Sequence, residues 1–321
     1  MGVRVSREVT GASPAVRLVK VPADRAGQRL DNFLLGLLKG APRSLVYKIV
    51  RSGQVRVDGG RAKADFKLRG GEEVRVPPVR LPEPGEERAP PASQLDRIQA
   101  AIVFEDDRLL ALDKPSGIAS HGGSGISHGA IELIRAARPG ESLELVHRLD
   151  RDTSGLLVIA KKRSALTTLQ RLMREGGLRK RYLTLLVGRL PEGRLRVDVA
   201  LLKATLRGGE RMVRTDEGGK DSVSHFHLLE RRGGHSFTEV RIETGRTHQI
   251  RVHAVHLGHP VAGDDKYGDR EANKRLREKA GLKRLFLHAA SLEFALEDGS
   301  RPYVLNAPLP PDLSGVLDRL A

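Results

Sequence analysis

Between residues 29 and 57 the apolar positions change their period once. Leu30, Phe33, Leu34, Leu37 and Leu38 recur at three- and four-residue steps, which places them on one face of a helix. Gly40 and Pro42 end that helix. Ser44 stands where it could cap a second one, in which Leu45, Val46, Ile49 and Val50 are apolar and Gly53 is the stop. From there the period shortens to two. Val55 and Val57 alternate with polar residues, Asp58-Gly59-Gly60 reads as a tight turn, and Val74 and Val76 alternate again. The pattern predicts a compact module over 18–80, two short helices and then small strands, behind a loose polar tail at 1–17.

A stretch with Pro77, Pro78, Pro82, Pro84, Pro90 and Pro91 among Glu and Arg follows, and residues 81–100 read as a semi-extended linker. Beyond it, over 101–321, apolar runs at 109–112, 155–160, 182–187 and 237–242 predict strands, and 130–138 and 164–174 predict helices. Leu166, Leu169, Leu172 and Met173 form the buried stripe of the second of these helices. Strands of mixed character with helices between them predict an α+β domain around a central sheet. Strand order is not legible from periodicity.

Charge adds a partner class. Lys and Arg outnumber Asp and Glu by 56 to 40, a formal net charge of +16 over 321 residues. An excess of that size draws a polyanion through many weak phosphate contacts. The helical module is dense in cations, with Arg29, Arg43, Lys48, Arg51 and Arg56 as candidate RNA contacts. The plain alternative is a solvated helix face, but so many like charges on one small module repel one another unless a partner neutralises them. Cysteine is absent, so disulfides, thiolate nucleophiles and cysteine-ligated zinc are excluded. The first residues carry charges throughout and lack the apolar run of a signal peptide, and the longest apolar runs are of strand length. A soluble cytoplasmic protein is expected, with no membrane partner. No segment stands out as reserved for self-association, so a monomer is expected.

Candidate chemistry concentrates at 145–162, where the polar loop His147-Arg148-Leu149-Asp150-Arg151-Asp152-Thr153-Ser154-Gly155 runs into an apolar strand. That order sets a carboxylate, Asp150, at a strand mouth between Arg148 and Arg151, which favour its charged form. Taken by themselves, these residues also suit a surface salt-bridge cluster. Other patterns point less far. His248, His253, His256 and His259 invite a metal reading, but no HExxH-type carboxylate accompanies them, and no metal is expected. The glycine-rich 121–125 stretch lacks the lysine and spacing of a nucleotide-binding loop. Asp106-Asp107 and Asp264-Asp265 read as solvated turns rather than paired acids.

The segment HRLDRDTSG at 147–155 resembles the catalytic signature of the RluA-type pseudouridine synthases. Four more stretches resemble motifs of that family, in the family's order: DKPSGIASHGG (113–123), KRYLTLLVG (180–188), TGRTHQIRVHAVHLGHPVAGDDKYG (244–268) and LFLHAASL (285–292). The N-terminal module resembles the ribosomal-protein-S-four-type RNA-binding domain, and the segments at 30–57, 147–166 and 209–214 look most like the RluC branch. The resemblance implies a catalytic domain with a mixed, mainly antiparallel central sheet, plus a small N-terminal α/β RNA-binding domain. It implies isomerisation of uridine to pseudouridine in 23S (large-subunit) ribosomal RNA by base flipping, with no cofactor and no nucleotide. By position in the motifs, Asp150 is the catalytic carboxylate, Arg246 its charge partner and Tyr182 the base-stacking tyrosine that takes the carbon-bound proton. Arg148 fills the space left by the flipped base, Leu287 walls the base pocket, and His147 is a further substrate contact. Attack on the sugar, attack on the base ring and abstraction of a ribose proton all remain open for Asp150. Other ribosomal or transfer RNA uridines are the alternative targets. The rival class is a non-catalytic RNA-binding assembly factor, against which the joint presence of Asp150, Tyr182 and Arg246 speaks.

Overall fold

The computed structural model describes residues 16–38, 41, 43–79, 90–122, 128–205, 211–297 and 301–321. The chain divides into two compact units, one within 1–89 and one spanning 90–321 apart from 123–127. In the first unit β1 (Arg17–Lys20) is followed by α1 (Leu30–Leu37), α2 (Arg43–Arg51), β2 (Arg56–Val57) and β3 (Glu73–Val76). The strands form an antiparallel sheet in the order β1-β3-β2. The apolar stripes of the two helices, Leu30, Phe33, Leu34 and Leu38 with Val46, Ile49 and Val50, close over Val55, Val57, Val74 and Val76. Burial of one stripe per element is what makes helices this short persist. The turn after β2 has Asp58 at φ 45° and Gly59 at φ 75°, the left-handed pair that a tight reversal needs. Helix α2 begins at Arg43, one residue before the expected cap Ser44. Gly40 and Pro42 lie outside the described residues, as do 1–15 of the expected tail, while Arg17 is already in the sheet.

The second unit opens with α3 (Ala92–Ala100), where an extended linker is expected. Pro91, the last proline of that stretch, sits at the helix N-cap, where its missing N–H costs nothing. Ile98 is buried beside Ile131 and Ile134, so the segment is core. Residues 80–89 lie outside the described residues. Then come β4 (Ile102–Glu105), β5 (Leu109–Lys114), α4 (Ala130–Ala137), β6 (Glu144–Leu145), β7 (Ser154–Ala160), α5 (Arg163–Glu175), β8 (Arg179–Leu186) and β9 (Arg194–Asp198). After them follow β10 (Leu201–Thr205), β11 (Arg211–Thr215), β12 (Val223–Arg232), β13 (His235–Ile242), α6 (Gln249–His256), α7 (Arg270–Ala280), β14 (Leu287–Phe294), β15 (Tyr303–Asn306) and α8 (Pro311–Arg319).

One sheet runs β4-β5-β7-β14-β8-β13-β12-β9, with β6 beside β7 and β15 beside β14. Every pairing in it is antiparallel except β7 with β14. Strand β7 alternates its side chains between two cores. Leu156, Val158 and Ala160 meet α5, while Leu157 and Ile159 meet α3 and α4. Burial on both faces is why its sequence is a continuous apolar run. At the parallel joint Gly155 has φ 107°, and a Cβ there would lie 2.3 Å from the Ala289 carbonyl oxygen. Only glycine fits that close approach. The joint matters for function, because the ends of β7 and β14, with β8 alongside, open onto the candidate site.

Candidate active site

Asp150 lies on the loop entering β7, and the loop is held from several sides. Val146 donates its N–H to the Val158 carbonyl at 3.2 Å, and the Val158 N–H donates to His147 Nε2 at 3.1 Å. The imidazole thus continues a ladder that the backbone has left. Burial, with Lys180 adding to it, pulls the His147 pKa down to about 4, so the ring is neutral and Nε2 is free to accept. The structure does not bring His147, expected as a substrate contact, into the cavity. Its ring is committed to strand backbone.

The segment 114–120 clamps the loop from the other side. The Ser120 hydroxyl donates to the Leu149 carbonyl and accepts the Leu149 N–H, both at 2.8 Å. The Ser116 hydroxyl donates to the Asp152 carbonyl at 2.8 Å. Lys114, fully buried, donates from Nζ to the carbonyls of Pro115 (2.9 Å), Ile118 (2.8 Å) and Arg151 (3.2 Å). Those acceptors match the donors of an ammonium. Burial lowers the Lys114 pKa to about 7, against the pull of Asp152 and Asp150. The chemistry of the DKPSGIAS stretch is therefore support, and a lysine directly after an apolar strand was its visible signal.

The cation facing Asp150 is Arg251, not Arg246. Arg251 Nη1 is 3.7 Å from Asp150 Oδ2, and His248 Nε2 is 3.8 Å from the same oxygen. Arg251 is almost fully buried and pairs twice with Asp264, Nε to Oδ2 and Nη2 to Oδ1, both at 2.7 Å. Burial opposes the Arg251 charge, but Asp264 and then Asp150 outweigh it and raise its pKa. Burial likewise opposes the Asp264 carboxylate, and its bond from Arg251 holds it below the usual range. Asp264 is thus core rather than a solvated turn. Arg246 is exposed and donates from Nε to the Asp221 carbonyl at 3.0 Å. The reason is local. Helix α6 starts at Gln249, so Arg246 remains on the loop before it, while Arg251 lies in the first buried turn. Gln249 knits that loop by accepting from Thr244 Oγ1 (2.8 Å) and the Arg246 N–H (3.0 Å). Nor do the sequence neighbours of Asp150 partner it. Arg151 pairs with Asp152, and Arg148 is exposed at the cavity.

Tyr182 on β8 pairs across to Val240 on β13 and Ala289 on β14. Burial first, and Asp150 second, push its phenol pKa up, so it is a neutral O–H. Asp150, Tyr182, Ile242 and Leu287 line one cavity with Arg148 and Arg246. Its volume, counted with its open mouth and the solvent in it, is about 590 Å³. Apolar walls, one carboxylate and one phenol inside, with guanidiniums outside, suit an uncharged planar ring whose attached backbone is anionic. The histidines do not converge. His248 faces Asp150, His253 lies between the Ser222 and Ser224 hydroxyls, and His259 meets the Val187 carbonyl. Among the described residues no group of His, Asp and Glu could hold a metal. Gly123, Ser124 and Gly125 of the glycine-rich stretch lie outside the described residues.

In the first unit Lys48 and Arg51 are exposed and Arg56 is half-buried. The Arg43 side chain lies outside the described residues. Arg29 is part-exposed, yet it gives Nε and Nη2 to Asp31 at 3.1 and 2.8 Å, and Asp31 also accepts from the Tyr47 hydroxyl.

Comparison with known proteins places this geometry. Residues 108–256 match the family described as RNA pseudouridylate synthase, and residues 28–74 match the S4 domain. The chain is 49% identical over 311 residues to ribosomal large subunit pseudouridine synthase C of Escherichia coli (strain K12), covering 96% of this chain and 98% of that one. It is 48% identical over 310 residues to the protein of the same name from Pasteurella multocida (strain Pm70), covering 95% and 94%. Two solved human structures resemble it. RNA Pseudouridylate Synthase Domain Containing 4 has a TM-score of 0.58 at 26% identity, over 71% of this chain and 97% of that one. RNA Pseudouridylate Synthase Domain Containing 1 has 0.56 at 27%, over 67% and 86%. With 48–49% identity to the two bacterial enzymes over nearly the whole chain, and with a carboxylate, a phenol and a buried guanidinium gathered at one strand joint, the chain belongs to the RNA pseudouridylate synthase family.

Proposed function

We propose that this pseudouridine synthase isomerises uridine in large-subunit ribosomal RNA, with Asp150 as the reacting carboxylate. The observation that carries the reading is the single cavity in which Asp150 lies beside Arg251 and shares the walls with Tyr182 and Leu287. The target class rests on relatives of nearly equal length that carry this activity in their names. In the reaction the bond from ribose C1′ to N1 breaks, the base turns, and C1′ joins C5. The proton on C5 leaves and N1 gains one, so no electrons are exchanged. Arg251 keeps the carboxylate company in a site poor in water, where an isolated charge would be costly. Tyr182 is the proposed platform for the base and, held as a neutral phenol, accepts the C5 proton only as it gives up its own. Leu287 and Ile242 supply the apolar wall.

A stacked uridine reaches such a site only when flipped out, at a cost of a few kcal/mol. Arg148, at the mouth, offers a planar guanidinium to the bases left behind. We assign Arg246 a rim contact to the RNA backbone rather than a part in the chemistry. We propose a cytoplasmic location from the ribosomal RNA target. No helix among the described residues is long and apolar enough to cross a membrane. RNA binding is assigned to the module at 18–80 and catalysis to the rest after the linker. Asp150→Ala tests the reading. Pseudouridine formation on large-subunit ribosomal RNA should vanish while RNA affinity changes little. A variant that modifies RNA at the normal rate would remove Asp150 from the mechanism.

A further inference from the structure

Tyr267 touches both of the side chains, Arg251 and His248, that face Asp150. Its ring lies beneath the Arg251 guanidinium, 4.9 Å from carbon to centroid. Its hydroxyl is 2.7 Å from His248 Nδ1. The same oxygen accepts the backbone N–H of Val213, on β11, at 3.0 Å. That amide takes one lone pair of the oxygen, and Nδ1 is the acceptor within reach of the phenol's own proton, the tautomer we assign. The neutral imidazole then carries its proton on Nε2, the nitrogen 3.8 Å from Asp150 Oδ2. Burial lowers the His248 pKa and so favours this neutral ring, with Asp150 pulling the other way and Arg251, Lys266 and Asp264 adding smaller effects.

A line of contacts thus runs from the Val213 amide through the Tyr267 hydroxyl and the His248 ring to the carboxylate. Its origin is the two-stranded sheet β10–β11, which packs Leu201 and Val213 against Val252 of α6 and Tyr267. His248 itself sits at φ 54°, a left-handed conformation uncommon outside glycine, and its ring is held by the Tyr267 hydroxyl. We propose that Tyr267 is a positioning residue for uridine isomerisation, which ties the docked β10–β11 hairpin to the arrangement of His248 and Arg251 around Asp150. The proposal rests on the reading of Asp150 as the reacting carboxylate.

Tyr267→Phe removes the hydroxyl and keeps the ring under Arg251. His248→Asn removes the nitrogen that faces Asp150, and asparagine tolerates the left-handed backbone. Full-length wild type, Asp150→Ala, both single variants and their double are compared on a large-subunit ribosomal RNA transcript, with thermal melting as a check on folding. Tyr267→Phe should lower kcat about tenfold with KM within about twofold. The double variant should be no worse than the weaker single by more than about twofold, because both act along one path. A Tyr267→Phe enzyme with normal kcat, or losses that multiply in the double variant, overturns the proposal. If Asp150→Ala stays active, the reading beneath it falls instead. If Asp150→Ala is inactive and Tyr267→Phe is normal, only this inference falls.

Discussion

Replacing Arg251 with methionine keeps the length of the side chain and removes the charge that stands 3.7 Å from Asp150. Two unit charges at that separation attract by about 4 kcal/mol at an effective dielectric constant of about 20. Only the part that differs between ground state and transition state enters the rate. Removal of one preorganised electrostatic partner typically costs about 3–4 kcal/mol, a fall in kcat of about 10²–10³-fold. Arg246→Met removes an exposed charge at the rim, worth about 0–1 kcal/mol, and should act on KM and its salt dependence. Stability must be separated from chemistry. Methionine leaves Asp264 buried and unpaired, which costs about 3–5 kcal/mol, a large share of the roughly 5–15 kcal/mol that holds a protein folded. The double variant Arg251→Met with Asp264→Asn removes both charges, and should recover much of the melting temperature while the rate stays low. The assay follows from the reaction. The C5 hydrogen leaves as C1′ takes its place, so RNA made with uridine tritiated at C5 releases its label once per turnover. If Arg246→Met lowers kcat more than Arg251→Met does, or if a folded Arg251→Met enzyme works within about threefold of wild type, the electrostatic reasoning is wrong.

Two further outcomes follow from the same contacts. The folded pKa of His147, about 4, lies below its ordinary 6.5, so between those values the unfolded chain binds the extra proton and stability falls by roughly 1–3 kcal/mol as pH drops through that window. Melting curves at pH 7 and pH 5 should show a smaller fall for His147→Gln, whose amide oxygen can still accept from Val158, and equal falls would refute the assignment. In the N-terminal module, Lys48→Gln, Arg51→Gln and Arg56→Gln together should flatten the plot of log affinity against log salt by about two units or more, with the single-turnover rate on bound RNA preserved. An unchanged slope would take those side chains out of the RNA contact.

What the linear order of residues determined is whatever depends on near neighbours. Apolar spacing located α1, α2, α4 and α5, because a helix repeats its face within four residues. The continuous run at 155–160 announced a strand, and only the structure showed it buried on both sides. The loop from His147 to Gly155 could be recognised as the family's signature segment, and the requirement for glycine at its end is met at the joint with β14. Helix α6 escaped periodicity because Gln249, Ile250, Arg251, Val252, His253 and Ala254 are all buried, leaving no polar face to give the period away. Charge partnership escaped as well. Arg148 and Arg151 flank Asp150 along the chain, and Arg246 stands in a suggestive motif, yet the guanidinium that faces the carboxylate is Arg251, a hundred residues on. Proximity along a chain constrains only local conformation. Which charges meet in a low-dielectric interior depends on how distant strands align and which turn of a helix faces inward, and only the packed structure sets that.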